Sequence, residues 1–207
     1  MDVQGSQQKK PPYGMIAILF VGAFVSFLNN SLLNIALPTI MVEFDVTAST
    51  AQWLTNGYML VSGILVPTSA FFITRFSNRK LFITAMSIFT LGTAVGAIAP
   101  EFWVLVLARM IQAAGAAMMG PLLMNIMLVS FPIAKRGAAM GVFGLVMITA
   151  PAIGPTLSGW IIEHNSWRAL FEMILPLAIL TIILAVFKMK NVTENKRATL
   201  DVLSVIL

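Results

Sequence analysis

Six runs of apolar residues, each about as long as a bilayer is thick, leave this chain almost no water-soluble fold to adopt. They are Tyr13–Leu37, Gln52–Thr74, Leu81–Ala99, Phe102–Val129, Ala138–Ile162 and Ala169–Phe187. About 20 apolar residues carry an α-helix across the hydrocarbon core, where a helix satisfies its own backbone polar groups. Composition agrees, because only 10% of the 207 residues are charged and 58% are hydrophobic, whereas a soluble domain carries about 25% charged residues. The expected fold is an all-α membrane protein with six transmembrane helices. Pro38 is expected to close the first helix, and the fourth run, longer than needed, to tilt or protrude.

The segments between the runs sort by charge. With the amino end inside, the inner segments hold Lys9, Lys10, Arg75, Arg79, Lys80, Lys135, Arg136, Lys188, Lys190, Lys196 and Arg197, eleven of the thirteen basic residues. Arg168 alone falls outside, and Arg109 falls within a run. Glu43, Asp45, Glu101 and Glu163 occupy the outer loops, and all four tryptophans (Trp53, Trp103, Trp160, Trp167) lie near the outer interface. Both ends are therefore placed in the cytoplasm, the side that collects Lys and Arg, with amphipathic rings at the membrane surface. The net charge of +5 reads as this loop bias rather than as affinity for nucleic acid. Residues 1–12 form a cytoplasmic tail and 13–187 the six-helix bundle. Residues 188–207 are expected to be a cytoplasmic linker in which TLDVLSVIL would open a truncated seventh helix. The first run is too long for a signal peptide and lacks a small-residue cleavage site. A multi-pass protein of the cell membrane is expected. With no cysteine and one histidine, disulfides, thiol nucleophiles and multi-histidine metal sites are excluded.

Arg109 is the most costly residue in these runs. It lies seven positions after Phe102, about 10 Å below the outer edge at 1.5 Å per residue. A cation at that depth costs a few kcal/mol even on lenient scales, and such residues generally serve a site. It shares a helix face with Gln112, Ala113, Ala116 and Gly120, which points either to a cavity wall or to a fixed clamp between helices. Asn29, Tyr58 and the Gly154–Pro155 pair come out at about the same depth. Asn30 and Asn34 add amides on an adjoining face of the first helix, for interhelical bonds or for a ligand. Met118 and Met119 either line an adaptable apolar pocket or pack in the core. Glu172 is the one carboxylate read as lying inside a span; burial would make it a proton carrier, while Arg168 four residues earlier offers it a local ion pair. In the fifth run Gly144, Pro151, Gly154, Pro155 and Gly159 describe a helix that bends and admits a close neighbour. An intramembrane serine protease would need a Gly-x-Ser-Gly turn and a histidine in the membrane. Ser158 follows Thr156-Leu157 and His164 is in a loop, so that chemistry is excluded, and no enzymatic activity is expected.

Four stretches together resemble one family. They are FLNNSLLNIALPTI (Phe27–Ile40) with AQWLTNGYML (Ala51–Leu60), LARMIQAAGAAMMGP (Leu107–Pro121), APAIGPTLSGW (Ala150–Trp160) and SWRALFEMILP (Ser166–Pro176). The chain resembles the amino-terminal half of a major facilitator superfamily exporter. Its branch is that of the fourteen-helix drug–proton antiporters, and within it the lincomycin-resistance-type multidrug exporters. The resemblance implies alternating access by two six-helix bundles, driven by a proton gradient without a bound cofactor. It assigns proton coupling to Arg109, while Glu172 stays a candidate on its own reading as a carboxylate inside a span. It suits Asn29, Asn34, Tyr58 and Gln112 to the substrate cavity, with Met119 beside them from the reading above. It matches the bending motif at Gly154, Pro155 and Gly159, to which Gly144 and Pro151 belong by their place in the same run, and the loop motif at Arg75, Arg79 and Lys80. Two places depart from the pattern. Asn29 stands where many relatives carry an aspartate, and TRFSNRK (Thr74–Lys80) has Thr74 and Ser77 where an acid and a glycine are usual. The implied partners are the bilayer, small-molecule drugs, and either a missing carboxy-terminal half or a second copy. Alone, the chain is expected to be an inactive half. The alternative is a six-helix binding or homodimerising membrane protein without coupled transport.

Overall fold

The structure, a computed structural model, describes residues 13–189; the expected amino-terminal tail, and the linker beyond Met189 with its incipient seventh helix, lie outside the described residues. Eight helices follow one another: α1 Tyr13–Phe44, α2 Ala48–Ala51, α3 Trp53–Arg75, α4 Asn78–Ala97, α5 Phe102–Ala116, α6 Met119–Ser130, α7 Ile133–His164 and α8 Arg168–Lys188. Joined as α2–α3 and α5–α6, they make six stretches long and apolar enough to cross a membrane. The described residues are all helix and loop, as expected.

The helix ends differ from expectation, and prolines explain the differences. α1 does not stop at Pro38 but continues to Phe44, so Glu43 is a helical residue rather than a loop one. A proline inside a helix removes one hydrogen bond, and in lipid the alternative, unpaired loop backbone, is worse. Contacts beyond Pro38 hold the last turns: Ile40 is fully buried and Phe44 packs on the rings of Phe102 and Trp167. α7 likewise begins at Ile133, five residues before the expected Ala138, with Pro132 as its extended N-cap. The long fourth run is not one rod but two helices, α5 and α6. It breaks at Ala117–Met118, where the Met118 N–H donates to the Gly115 carbonyl in a tightened turn. Pro121 cannot donate to the Ala117 carbonyl, four residues back, which places the break there.

α1 packs on α7, α8 and α6, while α4 is sandwiched between α5 and α8, and α3 rests on α5. α4 and α5 touch backbone to backbone. A Cβ at Gly92 would lie 2.6 Å from the Gln112 nitrogen, and one at Gly115 would lie 2.6 Å from the Phe89 nitrogen. Small residues let helices approach closely where lipid tails offer no hydrophobic drive between them. This contact carries Arg109 and Gln112 into the middle of the bundle. Charge is segregated along its axis. Arg75, Arg79, Lys80, Lys135, Arg136 and Lys188 cluster at one end, whereas Glu43, Asp45, Glu101 and Glu163 cluster at the other together with Arg168.

Candidate functional site

Arg109 is 1% exposed. Its guanidinium donates from Nη1 to Gln112 Oε1 and from Nη2 to Asn30 Oδ1, both at 2.9 Å. Its carbon lies 4.3 Å from the centre of the Tyr58 ring. Gln112 in turn donates to Thr93 Oγ1 at 2.9 Å, and Thr93 donates to the Phe89 carbonyl at 2.8 Å. Residues from α1, α3 and α5 thus meet on one cation, and α4 joins the network through Thr93. Every partner is a neutral acceptor or a ring face. Hydrogen bonds to a charged group contribute about 1.5–3 kcal/mol each, and a desolvated cation over a ring about 2 kcal/mol. These offset burial without cancelling the charge, as a carboxylate would. Two donors at this level remain without a partner, Arg109 Nε and Asn29 Nδ2.

The residues assigned to a cavity from the sequence divide into two groups. Asn29, Gln112 and Met119 are buried at 4%, 0% and 1% exposure; Met119 packs in the apolar core at the start of α6. Tyr58 is half-buried and Asn34 exposed, with Thr55 donating to the Asn34 amide oxygen at 3.4 Å. The amide that reaches the arginine is Asn30, next to Asn29 but turned about 100° around the helix. Thr93 was not singled out, because a threonine in an apolar run usually bonds its own helix. Only its position opposite Gln112 marks it.

Glu172 is exposed on α8, and none of the network's bonds or ring contacts reaches it. Its expected partner has turned elsewhere: Arg168 forms the ion pair found among the described residues, with Glu43. Trp167 Nε1 donates to the second Glu43 oxygen at 2.7 Å, and Arg168 also donates to the Ala99 carbonyl at 3.0 Å. An Arg placed four residues before a Glu on a helix has the weaker of the two pairing orientations, so the cross-helix carboxylate wins. Of the loop motif, Arg75 lies over Phe71, 5.8 Å from its ring centre. Arg79 donates to the Val186 carbonyl at the end of α8, and Lys80 rims an apolar crevice of about 280 Å³ with Phe72, Phe76 and Met118. A larger crevice of about 680 Å³ lies between the basic ends of α1, α6 and α7, with Lys135 at its margin.

The bending motif also has two sides. Gly154 is buried against Ser31 of α1, where a Cβ would lie 2.6 Å from the serine Cβ. Pro151, Pro155 and Gly159 are exposed, and nothing lies within 4 Å of a Cβ at Gly144 or Gly159.

A family profile described as Major Facilitator Superfamily matches residues 19–203. The chain is 58% identical over 193 residues to the Bacillus subtilis protein YcnB, described as an uncharacterized MFS-type transporter, covering 93% of this chain and 41% of that one. It is 46% identical over 204 residues to the lincomycin resistance protein LmrB of the same organism, covering 99% of this chain and 42% of LmrB. The chain therefore spans less than half the length of these curated relatives. Among solved structures, the human organic anion transporter MFSD10 superposes with a TM-score of 0.74 at 13% identity, over 88% of this chain and 49% of that one. This likeness speaks to the fold. Six apolar helices with these matches make a multi-pass membrane protein whose family and fold are those of transporters, not enzymes.

Proposed function

The chain belongs to the Major Facilitator Superfamily, and on that premise we propose that it serves as one bundle of an exporter of apolar or cationic drugs. Its basic end faces the cytoplasm of the cell membrane. Transport proceeds by alternating access coupled to inward proton flow, and the chain needs a carboxy-terminal bundle, or a second copy in its place, to complete the path. The observation that carries this reading is the uncompensated guanidinium of Arg109 at the meeting of α1, α3 and α5. An arginine does not release its proton at any physiological pH, so it is not itself the carrier. It holds a fixed positive potential against which protonation of a neighbouring acid, or entry of a cationic drug, changes the balance between states. A ligand or proton shifts a conformational equilibrium only by its different affinity for the two states, and a standing charge at the site supplies that difference.

On this reading Asn34 and Tyr58 meet substrate from the open side, Asn30 and Gln112 hold the arginine from behind, Thr93 holds Gln112, and Asn29 is the buried amide beside them. The acid is contributed from beyond the network; Glu172 is this chain's candidate. Arg75, Arg79 and Lys80 tie the α3–α4 turn to the partner bundle during switching. The kinship with lincomycin resistance proteins supports a drug as cargo.

The test is dye efflux from proteoliposomes with an imposed pH gradient, comparing this chain with a version completed by a carboxy-terminal bundle. Efflux by the completed protein that vanishes with the gradient and with Arg109→Ala is expected, with none from the chain alone. Efflux indifferent to Arg109→Ala would overturn the role given to the guanidinium, and efflux by the chain alone would favour a homodimer.

A further inference from the structure

The carbonyl of Pro151 has lost its helix donor. In an α-helix the N–H of residue i+4 donates to carbonyl i; here that residue is Pro155, which has no N–H. No water reaches such a group inside a bilayer, so a substitute donor is required. It comes from another helix: Ser31 Oγ of α1 donates to the Pro151 carbonyl at 3.0 Å. Gly154 makes the room, since a Cβ there would overlap the Ser31 side chain. One turn further along α7, Ser158 Oγ donates in the opposite direction, to the Leu32 carbonyl at 2.8 Å. That carbonyl lies in an uninterrupted part of α1, four residues before Ala36, which has an N–H to give. Two serines therefore bridge one crossing, and only one of them answers a proline.

We propose that Ser31 is the positioning residue for the Pro151–Pro155 turn of α7. It supplies from α1 the donor that Pro155 withholds, and Gly154 is the space that admits it. The bond missing from α7 is then replaced only in register with Ser31, which makes α1 and α7 one body at their crossing. For transport, a consequence that rests on the reading above, the motion falls to the face of α7 turned away from α1, where Gly159 stands open.

The test is a mutational square on the intact protein in lipid nanodiscs, read as thermal unfolding: Ser31→Ala and Pro155→Ala, singly and together, with Ser158→Ala carried through both backgrounds. Ser31→Ala should lower the Tm by about 2–4 °C, the shift that about 1 kcal/mol gives in a chain of this size. In the Pro155→Ala background, where the restored N–H reaches the Pro151 carbonyl, the loss should fall to less than half. Ser158→Ala should cost the same in both. Pro155→Leu restores the same N–H and replaces alanine if that variant does not fold. A Ser31→Ala loss equal in both backgrounds would reduce the serine to a space-filler and overturn the proposal. Transport does not enter this square, so failure of the exporter reading leaves its result intact.

Discussion

Arg109 and Arg168 each lie 4.3 Å from the centre of an aromatic ring, Tyr58 and Trp167 respectively, and there the likeness ends. Arg168 sits at the acidic end with a side chain 30% exposed and pairs with Glu43. Its further bond to the Ala99 carbonyl ties the ends of α1, α4 and α8 together. Arg109 is 1% exposed and is offered only amide oxygens and a ring. At the wet end, a carboxylate partner costs little to desolvate and fastens helices. In the dry interior the same partner would make an internally neutral lock. Withholding the carboxylate leaves a positive potential that other groups can answer. The same side chain is thus a staple in one place and a standing charge in the other.

The largest expected effect comes from removing the charge at each place. Arg109→Met keeps the length of the side chain and drops the cation. Relief of the cation's burial stabilises, while each amide oxygen left without a donor, on Asn30 and Gln112, costs about 1–3 kcal/mol, so the two effects largely offset. Efflux by the completed transporter should fall to background while the Tm changes little. Arg168→Met should do the reverse, with efflux retained and the Tm lowered. Finding both variants merely unstable would erase the distinction. Next comes Gln112→Glu, which gives Arg109 the carboxylate it lacks where Oε1 already stands at 2.9 Å. The interior arginine then resembles the staple, and transport should be lost by more than tenfold, about 1.4 kcal/mol in the barrier, without loss of fold. A Gln112→Glu variant that pumps normally would show that the uncompensated charge is not what matters.

Much of this architecture could be read from residue order, and the failures share a cause. Apolar run length determines the number of spans, because the bilayer sets one thickness for all of them. Arg109 stood out because its burial is costly in any context. Azimuth is what spacing from guessed ends does not provide: Asn29 and Asn30 are equally deep, and only packing decides which one faces the guanidinium. Pro38 does not end its helix, since in lipid a kinked helix leaves fewer groups unpaired than a loop does, and α7 begins before Ala138 because the charged turn Lys135–Arg136 is itself helical. Ser31 was legible in principle. A proline at 155 leaves the carbonyl at 151 without a donor, which demands a hydroxyl on a neighbouring helix at that depth, and Ser31 is two residues from Asn29.

A smaller effect separates the ring's face from its hydroxyl. If Tyr58 holds Arg109 through the face, Tyr58→Phe should leave efflux within about twofold of the parent. Tyr58→Ala should cost the cation–π contribution, about 2 kcal/mol for a desolvated cation, or roughly thirtyfold in transport. Equal losses for both variants would place the weight on the hydroxyl and assign it to substrate contact.

The smallest effect is expected at the staple itself. Glu43→Gln removes the charge that Arg168 faces and keeps an oxygen for it and for Trp167 Nε1. Both side chains of the pair are about a third exposed, at 30% and 38%, so water and ions screen the attraction. Pairs of this kind contribute about 0–1 kcal/mol. The Tm should therefore drop by no more than about 4 °C. The parent's advantage over Glu43→Gln should shrink as salt is raised towards 1 M, where the screening length is about 3 Å. Arg109, out of reach of ions, should show no such dependence: the Tm difference between the parent and Arg109→Met should be the same at low and high salt. If salt moves both differences alike, the two arginines share one environment and the contrast between staple and standing charge fails.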